Sequence, residues 1–245
     1  MFPTEEVTLP SKGLIYPKDN PLAKGVLEMK YMTAKEEDIL TNESYIKNGT
    51  VIDKLLQSLI VTPIDYNDLV VGDKNAIMIA ARVLGYGKDY QFTLDEEEFT
   101  VDLTEVEDKE LKEEDLMEIG KNEFDFTLPT VQKHITFKIL THGDEKKIDQ
   151  EIKGNKKINK NHSAEYSTRI KHMILSVEGD YDRKTVRQFV DNQLLARDAR
   201  ALRERVKEVQ PDVDLTFDLE TSAGDVKGDV KVPIGITFFW PDSGL

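Results

Sequence analysis

The residues of this chain best suited to chemistry stand together in Thr141-His142-Gly143-Asp144-Glu145, an imidazole within three positions of two carboxylates. Such a set can contribute to a divalent-metal site or an acid–base pair, because both group types bind metals and carry protons. It falls where a strand pattern turns into a helix pattern. There Asp144 as an N-cap, accepting from a free N–H of the first turn, is the simpler reading. A second candidate is Asp212, Asp214, Asp218 and Glu220, which share one face of an alternating strand. Spaced ~6–7 Å apart, they could collect a cation, but the wet face of a half-buried hairpin shows the same alternation. Leu84-Gly85-Tyr86-Gly87-Lys88 lacks the third glycine and the preceding strand of a dinucleotide fingerprint, and it reads as a glycine turn ending a helix. Of the four histidines (His134, His142, His162 and His172), His172 beside Met173 on a helix reads as a surface or interface residue rather than a ligand.

Other chemistries are excluded more firmly. The sequence contains no GxxxxGK[ST], GxSxG or HExxH. Cysteine is absent, which removes disulfides, thiolate nucleophiles and Cys-ligated zinc and fits a reducing compartment. No cofactor is expected. The longest apolar runs, such as Ile77–Ala81, fall far short of the ~20 residues of a membrane helix. Met1–Glu6 lacks the basic start of a secretory signal. With 47 acidic and 33 basic side chains the net charge is −14, which argues against general nucleic-acid affinity. Most of it lies in Asp95–Glu118, where thirteen acids face two lysines, a balance of −11. The expectation is a solvated insertion kept extended by self-repulsion. Arg183, Lys184, Arg187, Arg197, Arg200, Arg203, Arg205 and Lys207 make one late helix the only strongly basic element. A solvated face is the default for it, although it could complement the acidic insertion across subunits.

At 245 residues the chain has room for one large domain or two small ones. Its apolar period switches from 3.6 to 2 and back, which predicts an α+β fold in five blocks. Residues 1–32, with Pro3, Pro10, Pro17 and Pro21, form an extended N-terminal arm with a strand near 25–32. Residues 33–87 are helical: Thr33 and Glu36 give a capping box for a helix running to about 40–45. A second helix follows Thr50, and a third is capped by Asp73. Residues 88–142 are the acidic β-rich insertion. Its hairpins at 90–94/99–103 and 123–129/134–140 suggest one antiparallel sheet of four strands. Residues 143–210 return to helix at 144–153, at 163–177 and after Asp182, the last kinked or split between Leu194 and Leu202. Residues 211–245 form a C-terminal hairpin ending in aromatics.

Several segments in series resemble one family. Leu9-Pro10-Ser11-Lys12-Gly13-Leu14-Ile15-Tyr16-Pro17 and Met32–Leu40 are similar to the opening of the baseplate hub family of T-even-type contractile-tail bacteriophages. The similarity continues at Glu123–Pro129, Leu194–Arg203 and Pro211–Leu215, and ends at Val232–Asp242 with its Phe-Phe-Trp-Pro. The resemblance spans nearly the whole chain, in order, and none of its segments is a catalytic signature. It implies a structural or assembly role in the tail baseplate, without catalysis. An assembly factor missing from the finished virion would share every one of these features. The implied partners are other phage hub or tail proteins, with a homo-oligomer possible and neither nucleic acid nor membrane insertion. The implied location is the virion, and the host cytoplasm during assembly. Members of that family often carry paired cysteines in two β-ribbons; here the ribbon turns are Asp95–Glu98 and Thr221–Gly224. Cysteine-free ribbons must be held by packing alone.

Binding surfaces are therefore expected at both ends and on the basic helix. The arm offers Phe2, Leu9, Leu14 and Tyr16 but too many prolines and glycines to fold unaided. Arg197, Arg200 and Arg203 supply the charged face. Phe238, Phe239 and Trp240 should alternate across a strand, leaving a large aromatic surface for a partner.

Overall fold

Thr4–Thr8 (β1) pairs antiparallel with Val26–Lys30 (β2), Thr4 opposite Lys30 and Thr8 opposite Val26. Residues 4–30 thus close into a loop in the computed structural model, which describes residues 3–158, 164–234 and 238–240. The expected extended arm is corrected. Its prolines set turns, Pro21 opening a 3-10 turn capped by Asn20, and Leu9, Ile15, Tyr16, Leu22, Leu27 and Met29 are buried in the core. Two glycines permit this closure. Gly13 and Gly25 have φ of +76° and +70°, and a Cβ on Gly13 would lie 2.5 Å from the Ala23 carbonyl oxygen.

The helical block follows as Ala34–Leu40 (α1), Glu43–Lys47 (α2), Val51–Leu59 (α3) and Val71–Tyr86 (α4). The Thr33–Glu36 capping box is present, with the Thr33 N–H donating to Glu36 at 3.0 Å. Asp73 does not cap α4: the helix starts two residues earlier, and Asp73 sits buried in its first turn. Gly72 explains why this helix can lie so close to the C-terminal region. A Cβ there would come within 1.9 Å of the Pro211 carbonyl oxygen.

Asp89–Leu94 (β3) and Glu97–Asp102 (β4) form the expected hairpin, turning on Asp95 and Glu96, both at positive φ. Glu107–Lys109 (β5) then pairs with residues 212–214 at the other end of the chain. The acidic run is therefore docked rather than free: Leu103 and Leu111 are buried, and its charges stay outside. Phe124–Thr127 (β6) and His134–Phe137 (β7) make the second hairpin, which belongs to a different sheet from the first. That corrects the expected sheet of four consecutive strands.

His142–Ile158 (α5) and Glu165–Met173 (α6) precede Ile174–Val177 (β8), the third strand of the β6-β7-β8 sheet. The predicted helix over 163–177 thus ends early. Ile174 turns extended, and Ser176 pairs with Thr136, their hydroxyls 2.8 Å apart in the interior. The basic segment splits into Arg183–Asn192 (α7), capped by Asp182 as expected, and Ala196–Val209 (α8). Asp212–Asp214 (β9) joins β5, and Thr216–Glu220 (β10) pairs with Val226–Lys231 (β11).

The fold is α+β, 44% helical, close to the two-fifths that the predicted helical blocks imply. All five sequence blocks feed one core, with a small satellite of Leu140, Ile148 and Ile152 under α5. The first of the two ribbon-like hairpins, β3–β4, is held by rings. Tyr90 stacks on Phe92 at 5.6 Å, Phe92 on Phe99 at 5.9 Å, and Tyr90 meets Phe238 edge-on at 5.1 Å. Their turns are tied as well, Lys227 to Asp95 at 3.2 Å and the Ser222 N–H to Glu97.

Candidate functional site

The Thr141–Glu145 set does not converge. Thr141 is the residue before α5, and its hydroxyl accepts from the Asp144 N–H at 3.2 Å. Asp144 answers by accepting from the Thr141 N–H at 3.1 Å and from Lys138 Nζ at 2.7 Å. It is thus the third-position partner of a capping box, where an N-cap was expected. Burial raises the Asp144 pKa, but Lys138 and Thr141 more than offset this and hold it below its ordinary value. Glu145 is taken by Arg169.

His142 meets different residues instead. Its Nε2 lies 3.7 Å from Asp53 Oδ2, and its ring sits edge-on to Tyr66 at 4.8 Å. Asp53 Oδ1 accepts from Tyr66 Oη at 3.0 Å and faces Lys74 Nζ at 2.6 Å. Burial lowers the His142 pKa against the pull of Asp53, and burial with Asp53 raises that of Tyr66. Imidazole and phenol are therefore both neutral at pH 7 beside an ion pair. Asp53, Lys74 and His142 line an open groove of about 610 Å³ between α3, α4 and α5, whose lining also includes Lys54, Lys146 and Asp149. Sequence reasoning missed it because its members come from four elements and only His142 had a recognisable neighbourhood. Chemically it is a joint: one carboxylate binds a cation and a phenol from two neighbouring segments, with the imidazole of a third 3.7 Å away.

The remaining candidates resolve into structural ties. Asp212 accepts from Asn75 Nδ2 at 2.8 Å, Asp214 from the Thr216 N–H at 3.1 Å and Asp218 from the Asp229 N–H at 3.0 Å, on two different strands. Among the described residues no group of three or more His, Asp or Glu side chains is arranged to hold a metal ion. Gly87 is the glycine turn predicted at the end of α4, at φ +86°, and the Arg82 guanidinium donates to its carbonyl at 2.8 Å. His172 binds Glu151 at 2.9 Å, where Arg187 adds a two-pronged contact at 2.9 and 3.0 Å. His134 is exposed, 3.8 Å from Asp125, and His162 lies outside the described residues.

Most of the expected binding surface is interior. Leu9, Tyr16, Phe238 and Phe239 are covered by their own chain, so they are corrected from partner contacts to core residues. Tyr16 Oη donates to Asp73 Oδ2 at 2.6 Å, while the Ser11 N–H and hydroxyl donate to the same carboxylate at 2.9 and 2.7 Å. Phe238 and Phe239 pack edge-on at 5.0 Å and do not alternate across a strand. Trp240 is half-buried and donates its indole N–H to the Leu40 carbonyl at 3.2 Å. Leu14 is half-buried, and Phe2 lies outside the described residues. Arg197, Arg200 and Arg203 remain exposed as expected. The basic and acidic segments do meet, but within one chain: Arg205 pairs with Asp115 at 2.9 Å.

Compared with known proteins, the chain matches no family model, and neither a curated protein nor a solved structure emerges as significantly similar. No helix among the described residues is long and apolar enough to cross a membrane.

Proposed function

We propose that this chain is a structural or assembly component of the baseplate hub of a contractile-tail phage, acting through protein–protein contacts without catalysis, built in the host cytoplasm and carried in the virion tail. The observation supporting the reading is where the hub-like segments fall. Leu9–Pro17 carries the ties of Ser11 and Tyr16 to Asp73. Within Leu194–Arg203, the buried Asp198 accepts from the backbone N–H groups of Thr130 and Val131, just past Glu123–Pro129, at 2.7 and 3.3 Å. Pro211–Leu215 supplies β9 and the carbonyl that presses on Gly72. Segments that fix a fold in this way are what a resemblance through shared architecture requires, and they hold no reactive group in common.

The test is proteomic. Mass spectrometry of purified virions and of tail-assembly intermediates should find this chain with the hub proteins in both. Presence in the intermediates alone makes it an assembly factor, and absence from both overturns the reading.

A further inference from the structure

Three of the four most exposed large hydrophobic side chains among the described residues gather in one place. They are Met117, Ile119 and Tyr181, at 51%, 52% and 55% exposure. Glu123 draws them together: its carbonyl accepts from the Met117 N–H at 3.3 Å, and its carboxylate accepts from Tyr181 Oη at 2.6 Å. Exposed apolar residues scattered singly are ordinary, but a group on one spot marks a surface that something covers. Its chain neighbours are acidic: Glu113, Glu114 and Glu118, all exposed, lie within four residues of Met117, and Lys121 pairs with Glu118.

The complementary surface is on the same chain. Arg197, Arg200 and Arg203 recur every third residue along α8 and so share one face, all exposed. Leu195 stands exposed at the start of that helix, and the Arg203 guanidinium lies 4.4 Å over the ring of exposed Tyr166. One surface thus combines exposed apolar side chains with acidic chain neighbours, and the other exposed Leu195 and Tyr166 with three arginines. We propose that a second copy of this chain covers the Met117–Ile119–Tyr181 patch with its Leu195–Arg203 face. The intramolecular Arg205–Asp115 pair already joins the same two segments, while Arg197, Arg200 and Arg203 stay exposed, Arg200 paired with the likewise exposed Glu204 at 2.9 Å. The net charge of −14 per copy does not prevent this. At physiological salt the Debye length is about 8 Å, so repulsion between whole molecules is screened while charges in contact set the pairing. The pairing stands independently of the hub reading.

Light scattering across micromolar concentrations should give the parent a mass at least twice 28.0 kDa. The triple variant Arg197→Glu, Arg200→Glu, Arg203→Glu should be monomeric, and so should Glu113→Lys, Glu114→Lys, Glu118→Lys. An equimolar mixture of the two should recover the doubled mass, because each variant then carries the charges the other needs. A parent that stays monomeric at every concentration overturns the proposal, as does a mixture no heavier than its components. If circular dichroism shows either charge variant unfolded, Met117→Ser with Ile119→Ser replaces it. That pair must weaken association at least tenfold, and unchanged association again overturns the proposal.

Discussion

Asp73 and Glu36 are both shut off from solvent and both tie a loop to the first turn of a helix, yet they titrate in opposite directions. Burial is the largest influence on each and pushes each upward. At Asp73 it wins over the hydrogen bonds from Tyr16 and Ser11, and the carboxyl stays above its ordinary range. At Glu36 the donors win, and the value falls to about 2. The neutral donors do not explain this, since each carboxylate accepts from two hydroxyls and one N–H; Glu36 has a fourth partner, Lys30 Nζ at 2.8 Å. The ammonium is the difference, together with depth, since Asp73 lies deep under the N-terminal loop and Glu36 just beneath the surface. Neutral donors satisfy a buried carboxylate's geometry without repaying its lost hydration, whereas a full positive charge can. The two sites thus hold similar loops by different physics.

The largest effect expected from this contrast is for Asp73→Ala. Removing the carboxylate leaves the Ser11 N–H, the Ser11 hydroxyl and the Tyr16 hydroxyl facing a void. At about 1–3 kcal/mol for each orphaned donor, with some relief from entering water, the loss should be about 3–5 kcal/mol in urea unfolding. A loss under about 1 kcal/mol would mean that the loop over α4 is held by apolar packing alone. Asp73→Asn should cost less and change the pH profile. The folded-state value of Asp73 is raised above the unfolded ~3.9, so its favourable contribution is complete below that pH and is lost as pH rises through the folded value. The asparagine variant should lack this decline, and its deficit relative to the parent should shrink from acid toward pH 7. A constant deficit would show that Asp73 does not titrate abnormally.

The contrast also marks what the sequence reveals. The Thr33–Glu36 capping box is readable because its members are three residues apart, and so are the Asp182 cap and the Asp95–Glu96 hairpin turn; the break between α7 and α8 falls at residues 193–195, at the very start of the 194–202 stretch expected to hold it. Asp73 looked like a cap of the same kind, since its partners Ser11 and Tyr16 lie about sixty residues away and no local pattern announces them. The α6–β8 boundary failed for a related reason. Ile174 and Val177 fit a helical stripe equally well, and only the strand opposite, with Thr136 facing Ser176, decides the matter. At the C-terminus, three aromatics in a row were read as alternating on a strand. A turn lets Phe238 and Phe239 both enter the core beside Tyr90. The Asp53–Tyr66–Lys74–His142 joint was legible nowhere, being assembled entirely by tertiary packing. The exposed arginines of α8 were the part of the candidate surface that helical spacing could place.

The smallest effect in the series is for Glu36→Gln, and its sign is opposite to that at Asp73. Glutamine keeps the side chain's length and can still accept from Thr33 or Ser58, but it no longer neutralises Lys30. Because Lys30 is partly exposed, with 21% of its side chain open to water, the freed ammonium can rehydrate. The loss at pH 7 should therefore be only about 1–2 kcal/mol, the scale of a hydrogen bond to a charged group discounted for solvent. The folded value of Glu36, about 2, lies below the ~4.3 of an unfolded glutamate. Its stabilisation is therefore fully present above about pH 4.3 and disappears as pH falls toward 2. Parent and variant should differ at pH 7 and converge on acidification, while the Asp73→Asn deficit widens over the same interval. Urea midpoints taken from pH 7 down to about 3 would show the two deficits moving apart. Parallel trends would mean that the Lys30 ammonium does not distinguish the two sites.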